Sequence, residues 1–286
     1  MHVPVMLGEC LEYLGVRPDG VYLDATAGLG GHTAAIAGRL TSGFVIANDR
    51  DAESLEIAKS NTAQWADRIR YHQGSFGELR AALTACGVER VDGILADLGV
   101  SRYQLVSGER GFSFMADGPL DMRMNRGQEK TAAEIVNFTQ EKELADLIYQ
   151  LGEERRSRRI SRAIVRARPI HTTQRLSRVI EVAVPRTTKL HPATQTFMAL
   201  RMAVNDEQGE LDRLLSIAPD LVKSGGRSVV VSFMSLEDRK VKQGFQELAR
   251  AGKVNLLTKH VVRPSPEEIK NNPPSRSAKL RAVEMR

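Results

Sequence analysis

The chain has 286 residues, 42% hydrophobic and 27% charged, a balance typical of globular proteins that excludes a low-complexity chain. Lys and Arg total 41 against 35 Asp and Glu, and the formal charge of +6 favours a polyanionic partner without requiring one. No apolar run reaches the roughly 18 residues that span a bilayer, and the N-terminal segment lacks the pattern of a signal peptide. We therefore expect a soluble, cytoplasmic protein with no membrane partner.

Two cysteines, Cys10 and Cys86, lie far apart in the chain and form no C-x-x-C pair. They predict neither a disulfide framework nor a metal site.

Short apolar runs alternate with helical stretches through the first third of the chain. The predicted strands are 21–24, 44–47, 68–72 and 91–96, and the predicted helices are 33–40 and 52–61. Alternation of strand and helix predicts a parallel sheet whose crossovers are right-handed.

This alternation stops near residue 107. Loops and helices without a convincing strand fill residues 107–191, and strands resume at 227–233, near 254–262 and at 279–284. We therefore predict one α/β sheet domain, formed by residues 1–106 and 192–286, that is interrupted by an inserted helical domain of residues 107–191.

A glycine-rich turn, Asp24–His32, follows the first predicted strand and opens a helix, and Asp49 ends the second strand. Glycines let the backbone approach a ligand, and a carboxylate at the second position can accept hydrogen bonds from both ribose hydroxyls of an adenosine-containing ligand. A tight β-to-α turn followed by a solvated acidic loop is an equally good interpretation of the same residues.

Two cofactor classes share this layout. A dinucleotide fingerprint needs a third small residue where this chain has Thr33, and Asp24 lies where a pyrophosphate would lie. Both departures favour S-adenosylmethionine, which carries an ammonium and a sulfonium but no phosphate. Asp97 ends the fourth strand, where amino-group methyltransferases often carry an Asp or Asn in a D/N-P-P-Y motif, although this chain lacks the Pro-Pro.

More specific motifs follow along the chain. They are Asp97–Ser101, Gly111–Met124, His191–Thr194, Ser232–Phe233, Ser235–Arg239 and Arg276–Arg281. By these motifs, in this order, the chain resembles the ribosomal RNA small-subunit methyltransferase H family, also called MraW. The likeness extends from about residue 2 to residue 286.

The resemblance implies a class I methyltransferase fold, a doubly wound and mostly parallel sheet with an inserted helical domain. It also implies S-adenosylmethionine-dependent N4-methylation of a cytidine in the decoding region of 16S ribosomal RNA, with that RNA or the small ribosomal subunit as partner. The cofactor contacts of the family fall on Gly30, Gly31, His32, Asp49, Phe76, Asp97 and Gln104.

Without the resemblance, Phe76 would be taken for a core residue and His32 for a helix-start residue. The chain departs from the family where Arg102 and Tyr103 replace Ser-Pro, where Met234 replaces a histidine, and at residues 274–275. These departures lie nearer the substrate side than the cofactor side. Met234 also excludes a histidine general base at that position.

For catalysis, we expect Asp97, or a backbone carbonyl near Ser101, to accept an N–H bond from the cytosine amine. The target base must leave its stack to reach the cleft. Phe112 and Phe114 could stack on that base or pack between the two domains, and the sequence leaves both possibilities open.

Residues 153–166 predict a basic amphipathic helix. Arg155, Arg159, Arg162 and Arg166 share one face of it. A charged stripe is usually a solvated face, but nine arginines between residues 155 and 178 favour contacts with RNA phosphates.

Two other functions stay open at this stage: a DNA amino-methyltransferase and a non-catalytic ribosome-assembly factor that keeps the pocket as a relic. The sequence does not decide between a monomer and a homodimer.

Overall fold

A computed structural model describes residues 4–186 and 190–286. The chain forms two compact units, which we call the sheet unit (residues up to 99, and 208–286) and the helical unit (residues 100–207). The sheet unit is thus built from two separate stretches of the sequence.

Seven strands form the sheet unit's single sheet. They are β1 (Val21–Asp24), β2 (Phe44–Asp49), β3 (Ile69–Gln73), β4 (Val91–Asp97), β5 (Val222–Ser232), β6 (Val254–Leu256) and β7 (Lys279–Met285). Their spatial order is β3-β2-β1-β4-β5-β7-β6. β1 to β5 pair in parallel, whereas β7 runs antiparallel between β5 and β6. The predicted mostly parallel, doubly wound sheet is confirmed.

The described residues also form thirteen α-helices. They are α1 (Leu7–Leu14), α2 (Gly31–Ala37), α3 (Ala52–Asn61), α4 (Leu79–Ala85), α5 (Arg102–Val106), α6 (Ala132–Phe138), α7 (Glu141–Gly152), α8 (Ser157–Ala167), α9 (Thr173–Ala183), α10 (Thr194–Val204), α11 (Glu207–Leu221), α12 (Ser235–Arg250) and α13 (Pro266–Asn271). None of the helices in this part of the chain is long and apolar enough to span a membrane.

Alternate strand residues of the sheet enter two different cores, because successive side chains of a strand point to opposite faces. Leu23, Ile46 and Ile94 pack with α4, α11 and α12 in one core. Their neighbours in sequence, such as Tyr22 and Leu95, pack with α1 and α2 in the other core. Helices on both faces leave the carboxyl ends of the strands as the edge at which a ligand can bind.

The helical unit has its own core, which joins buried side chains from α6 to α10. Its bounds differ from the predicted insertion of residues 107–191. α10 lies within residues 192–286, which were assigned to the sheet domain, but Phe197, Leu200 and Val204 of this helix pack in the core of the helical unit. The helix therefore belongs to that unit, and the division falls after residue 207.

Three local expectations were wrong. β6 ends at Leu256, and only an isolated bridge from Val262 to Leu280 continues the strand expected to reach residue 262. The basic helix begins at Ser157 instead of residue 153, because Glu153 adopts a left-handed φ of 54° that ends α7. Residues 266–271, where no helix was predicted, form α13, and the Ser265 side chain accepts a hydrogen bond from the N–H of Glu268.

Candidate active site

Acidic residues end three neighbouring strands of the sheet. Asp24 ends β1, Asp49 ends β2 and Asp97 ends β4, and β1 lies between the other two strands. Because these strands are parallel, the three carboxyl groups lie at the same edge of the sheet. The sheet topology therefore brings together the acids that the sequence singled out.

The turn between β1 and α2 uses glycines for their conformational freedom. Gly28 and Gly30 have left-handed φ values of 51° and 87°. A Cβ on Gly30 would lie 2.7 Å from Cγ2 of Thr62, too close for two carbon atoms. Position 30 therefore admits no side chain without strain and a local shift.

Asp49, at the end of β2, is hydrogen-bonded to this turn. Its Oδ2 accepts a hydrogen bond of 2.8 Å from the N–H of Gly28, and its Oδ1 accepts one of 2.9 Å from the N–H of Asp51. Burial nevertheless raises the pKa of Asp49 to about 6. Two backbone N–H donors leave each carboxylate oxygen with capacity to accept a further hydrogen bond, as from a ribose hydroxyl.

Asp24 is fully buried under the same turn. Its carboxyl accepts hydrogen bonds from the Thr33 hydroxyl, at 2.6 Å, and from the N–H of Thr26, at 3.2 Å. Burial raises the pKa of Asp24 to about 6 despite these bonds. Asp24 and Thr33 are the two residues that depart from the dinucleotide fingerprint, and in the structure they are hydrogen-bonded to each other.

Asp97 has the most strongly perturbed carboxyl group at this edge. Burial, with repulsion from Asp24 and Glu237, raises its pKa to about 8. Its backbone N–H donates to the Thr26 hydroxyl at 2.6 Å, which joins β4 to the glycine turn. Its Oδ1 atom is buried and has no hydrogen-bond partner among the described residues. An unpaired buried oxygen of this kind is a place for a donor from a ligand.

His32 lies in the first turn of α2 and is 5% exposed. Its Nε2 lies 3.1 Å from the backbone oxygen of Val5, so this nitrogen carries the proton and donates it. Its Nδ1 lies 3.8 Å from Oδ2 of Asp97, too far for a direct hydrogen bond. His32 is therefore hydrogen-bonded to the N-terminal segment through Nε2, and its Nδ1 lies near Asp97 without bonding to it.

Phe76 follows β3, in a short 3-10 helix, Phe76–Glu78. Its N–H donates to Glu210 at 2.7 Å, and its partly buried ring packs against one of the two cores of the sheet unit. The turn before it is tied to β2, because the N–H of Gly74 donates to the backbone oxygen of Asp49 at 3.0 Å. Phe76 thus has one side in the core and lies on a loop fixed to Asp49.

Gln104 belongs to the helical unit. Its Oε1 accepts from the N–H of Ser101 at 2.9 Å, and its own N–H donates to the Ser101 hydroxyl at 3.2 Å. This reciprocal pair is a capping box that starts α5. The side chain therefore has a structural role that the sequence analysis did not identify.

Phe112 and Phe114 differ in their surroundings. Phe112 is 5% exposed and lies in the core of the helical unit, so its ring offers no surface to a base. Phe114 is partly buried and stacks on the ring of His191, with centroids 4.4 Å apart. It also meets Phe197 edge-to-face at 5.1 Å. Packing inside the helical unit accounts for the position of Phe112.

The arginine stripe occupies an exposed face of α8. Arg159, Arg162 and Arg166 lie on this helix and are exposed, and Arg155 lies in the turn before it. The opposite face of the helix buries Ile160 and Ile164. The predicted separation of charged and apolar faces is thus present from residue 157 onward.

Sequence reasoning missed Glu237, a residue of the sheet unit that is 3% exposed. Its Oε2 accepts from the N–H groups of Phe233 and Met234, both at 3.1 Å, and its charge contributes to the raised pKa of Asp97. The sequence carried a signal for this role, because a Glu at the third position of a helix often accepts a hydrogen bond from the backbone at the N-cap.

The strand order with an antiparallel β7, the glycine turn and the acids at the ends of β1, β2 and β4 define a class I S-adenosylmethionine-dependent methyltransferase. A crystal structure of a Clostridium thermocellum protein that is described as an rRNA methylase has the same fold. It covers 100% of both chains with a TM-score of 0.51 and 12% sequence identity.

The chain belongs to the MraW methylase family, whose family model matches residues 1–286. A relative from Solibacter usitatus, named ribosomal RNA small subunit methyltransferase H, is 67% identical over 286 residues and covers 100% of both chains. A protein of the same name from Acidobacterium capsulatum is 50% identical over 99% of this chain and 98% of its own. The family and fold class predicted from the sequence are confirmed.

S-adenosylmethionine is the cofactor of this class, and the carboxyl groups of the site fit it. Among the described residues, no lysine or arginine pairs with Asp24 or Asp97, and both pKa values are raised. A ligand that brings an ammonium and a sulfonium supplies the missing positive charge. The donor that Oδ1 of Asp97 lacks can also come from the ligand or the substrate.

Proposed function

We propose that this chain transfers a methyl group from S-adenosylmethionine to the exocyclic N4 of a cytidine in the decoding region of 16S ribosomal RNA. The substrate class is supported by the full-length likeness to relatives that are named for ribosomal RNA small-subunit methylation. An enzyme with this substrate acts in the bacterial cytoplasm, on free 16S RNA or on the small ribosomal subunit.

The observation that carries the chemistry is the unpaired oxygen of Asp97. Oδ1 is buried at the carboxyl end of β4 and has no donor among the described residues. The cytosine amine is a poor nucleophile, because its lone pair is delocalised into the ring. A carboxylate that accepts one amine N–H helps the nitrogen to become tetrahedral, and Asp97 can then take the proton that the product amine releases.

The sheet unit's turn and acids hold the cofactor in this proposal. Gly30, Gly31 and His32 would contact the cofactor, Asp49 would accept hydrogen bonds from its ribose hydroxyls, and the ring of Phe76 would stack on its adenine. The proposed cofactor contacts also include Asp97 and Gln104. When bound, S-adenosylmethionine supplies an electrophilic methyl group on a sulfonium.

For the RNA, we assign the phosphate contacts to the exposed arginines of the helical unit, Arg155, Arg159, Arg162 and Arg166. We keep Phe114 as a base-stacking candidate, since its ring is only partly buried. Phe112 is a weaker candidate, because stacking on a base would require it to leave a core. The helical unit is thus proposed as the part that recognises the substrate.

Mass spectrometry of ribosomal RNA from a strain that lacks this protein tests the proposal. We expect the loss of a single N4-methylcytidine of 16S RNA, and its return when the wild-type chain is supplied. Supply of Asp97→Ala should leave the position unmodified. An unchanged nucleoside profile in the deletion strain would exclude this substrate.

Methylation of purified small subunits and of duplex DNA, with the same enzyme, separates the proposal from its main alternative. Incorporation of methyl groups into the DNA alone would identify a DNA amino-methyltransferase. Cofactor binding without incorporation into either substrate would favour an assembly factor.

A further inference from the structure

Phe138, the last residue of α6, has a side chain that is exposed to solvent. It is 81% exposed, although a phenylalanine side chain gains about 1.5–3 kcal/mol when it is fully buried. The rest of α6 behaves as expected, since Ala132, Ile135 and Val136 are buried in the core of the helical unit. Single exposed apolar residues are common, so the surroundings of Phe138 decide whether its exposure has a use.

The backbone on both sides of Phe138 is held firmly. Asn137 donates to the backbone oxygen of Ile170 at 2.8 Å and accepts from the N–H of Ile170 at 2.8 Å. Arg168 donates to the backbone oxygens of Val136, at 2.7 Å, and Thr139, at 2.6 Å. The ring is therefore presented from a fixed position, which lowers the entropy that a partner would lose on binding.

Arg168 and Ile170, which are hydrogen-bonded to the chain around Phe138, come directly after α8, the helix that carries the exposed arginines. Arg162 on this helix donates to Glu141 at 3.4 Å, three residues beyond Phe138. Arg159 and Arg166 are exposed on the same helix. The exposed ring and the exposed arginines therefore belong to two helices that contact each other, α6 and α8. Glu141, which pairs with Arg162, is itself exposed and can be displaced.

We propose that Phe138 and the arginine face of α8 form a binding surface for single-stranded RNA, with a base stacked on the ring and phosphates on the guanidinium groups. Stacking on an aromatic ring needs no particular base, and arginines track a phosphate backbone. The excess of positive charge on α8 favours a polyanion over a second protein. The inference rests on the proposed function for the source of the RNA, but it concerns residues other than those proposed for methyl transfer.

The test measures binding of the full-length chain to a fluorescein-labelled, 12-nucleotide single-stranded RNA of uridine and cytidine, by anisotropy over a series of KCl concentrations. Phe138→Ala should weaken binding at least about fivefold at each salt concentration, with the salt slope unchanged, because no phosphate contact is lost. Phe138→Trp should bind as well as the wild type. Arg162→Ala should instead lower the salt slope by roughly 0.7, the value for one phosphate contact.

Val182→Ala is the matched control, since Val182 is 82% exposed in the same unit but cannot stack on a base. It should bind the RNA like the wild type. Wild-type affinity of Phe138→Ala would overturn the proposal. So would a Phe138→Ala variant that converts a dimer into a monomer in analytical ultracentrifugation, because the ring would then face a second copy of the chain.

The proposed surface and the proposed reaction can fail separately. If the deletion strain keeps its N4-methylcytidine while Phe138→Ala still weakens RNA binding, the assigned reaction is wrong and the surface stands. If the methylation is lost but Phe138→Ala binds RNA normally, the reaction stands and the surface is wrong.

Discussion

Asp97 is a carboxyl group whose surroundings oppose its negative charge. Its Oδ1 atom is buried, two other carboxyl groups, Asp24 and Glu237, repel its charge, and its pKa is raised to about 8. The free protein therefore holds a proton on Asp97 that the unfolded chain releases near pH 4. The contribution of Asp97 therefore lowers the stability of the folded state as the pH rises from about 4 to about 8, and this destabilisation is complete above that range.

The first prediction is that Asp97→Asn removes part of this pH dependence and also removes activity. Without cofactor, the unfolding temperature of the variant should fall less between pH 5.5 and 8.5 than that of the wild type. Its methyl-transfer rate should drop by at least about a hundredfold, in the range typical of a lost catalytic group. Differential scanning fluorimetry and an assay on small subunits measure the two effects.

Asp92→Asn is the matched control, since Asp92 is a buried carboxyl near the other end of β4. It pairs with Arg17 and with Lys223, and its pKa is lowered, so its charge stabilises the fold. The asparagine there should lower the unfolding temperature at both pH values. If both variants change stability with the same sign at pH 8.5, the raised pKa of Asp97 is wrong.

Glu237 acts on the site through its charge and its hydrogen bonds. Glu237→Gln keeps an acceptor oxygen for the N–H groups of Phe233 and Met234 but removes the repulsion on Asp97. The second prediction is that the pH profile of kcat/KM shifts toward lower pH, because Asp97 then loses its proton more easily. A profile that stays in place, in a folded and active variant, would mean that Glu237 only caps the backbone.

At the scale of elements, the turn that follows β1 is hydrogen-bonded to β2 and to β4, and it carries the glycines proposed to bind the cofactor. The third prediction concerns Gly30→Ala, which adds a Cβ 2.7 Å from Cγ2 of Thr62 at a left-handed φ of 87°. Left-handed backbone alone costs roughly 1–2 kcal/mol for an alanine, and the clash adds to it. We expect a lower unfolding temperature and weaker cofactor binding by calorimetry.

The Gly87→Ala variant separates the effect of left-handed backbone strain from the effect of a substitution in the glycine turn. Gly87 also has a left-handed φ, of 72°, but its added Cβ would meet nothing within 4 Å. It should lower stability by the strain alone and leave the cofactor affinity unchanged. Equal losses of affinity in the two variants would show that the turn has no special role.

The elements that the sequence predicted best are those with a strong hydrophobic pattern. β1 and α3 have the predicted bounds, and β4 differs by one residue, because buried strands and helices between polar turns leave little choice of register. The start of α8 was missed, since Glu153 ends the previous helix by a backbone conformation that no pattern of charges reveals. α13 was missed although its Ser-Pro-Glu-Glu start is a recognisable helix signal.

The candidate site could be predicted only in part, for a physical reason. Asp49 and Asp97 were found because parallel strands end at one edge of a sheet. The burial of Phe112 and the capping role of Gln104 depend on tertiary packing and on a local backbone geometry, which residue spacing does not fix. The contribution of Glu237 to the pKa of Asp97 depends on a distance in space between β4 and the residues after β5.

For the whole molecule, separate cores in the sheet unit and the helical unit allow their unfolding to be followed separately. The fourth prediction is that S-adenosylmethionine at about 100 times its Kd stabilises the sheet unit by about 2.7 kcal/mol, or roughly 5–10 °C in a scanning calorimeter. Leu144→Ala, in the core of the helical unit, identifies the transition of that unit by lowering it. A ligand effect confined to that transition would contradict the proposed cofactor residues.

The place of β7 in the sheet has a consequence for how the protein is made. β7 lies between β5 and β6, yet its residues, 279–285, are synthesised after both. A ribosome that has completed β6 therefore carries a nascent chain with two unfilled strand edges, whereas residues 100–207 have all the side chains of their own core. The helical unit can become resistant to proteases during translation, while the sheet must wait for the last strand to be inserted.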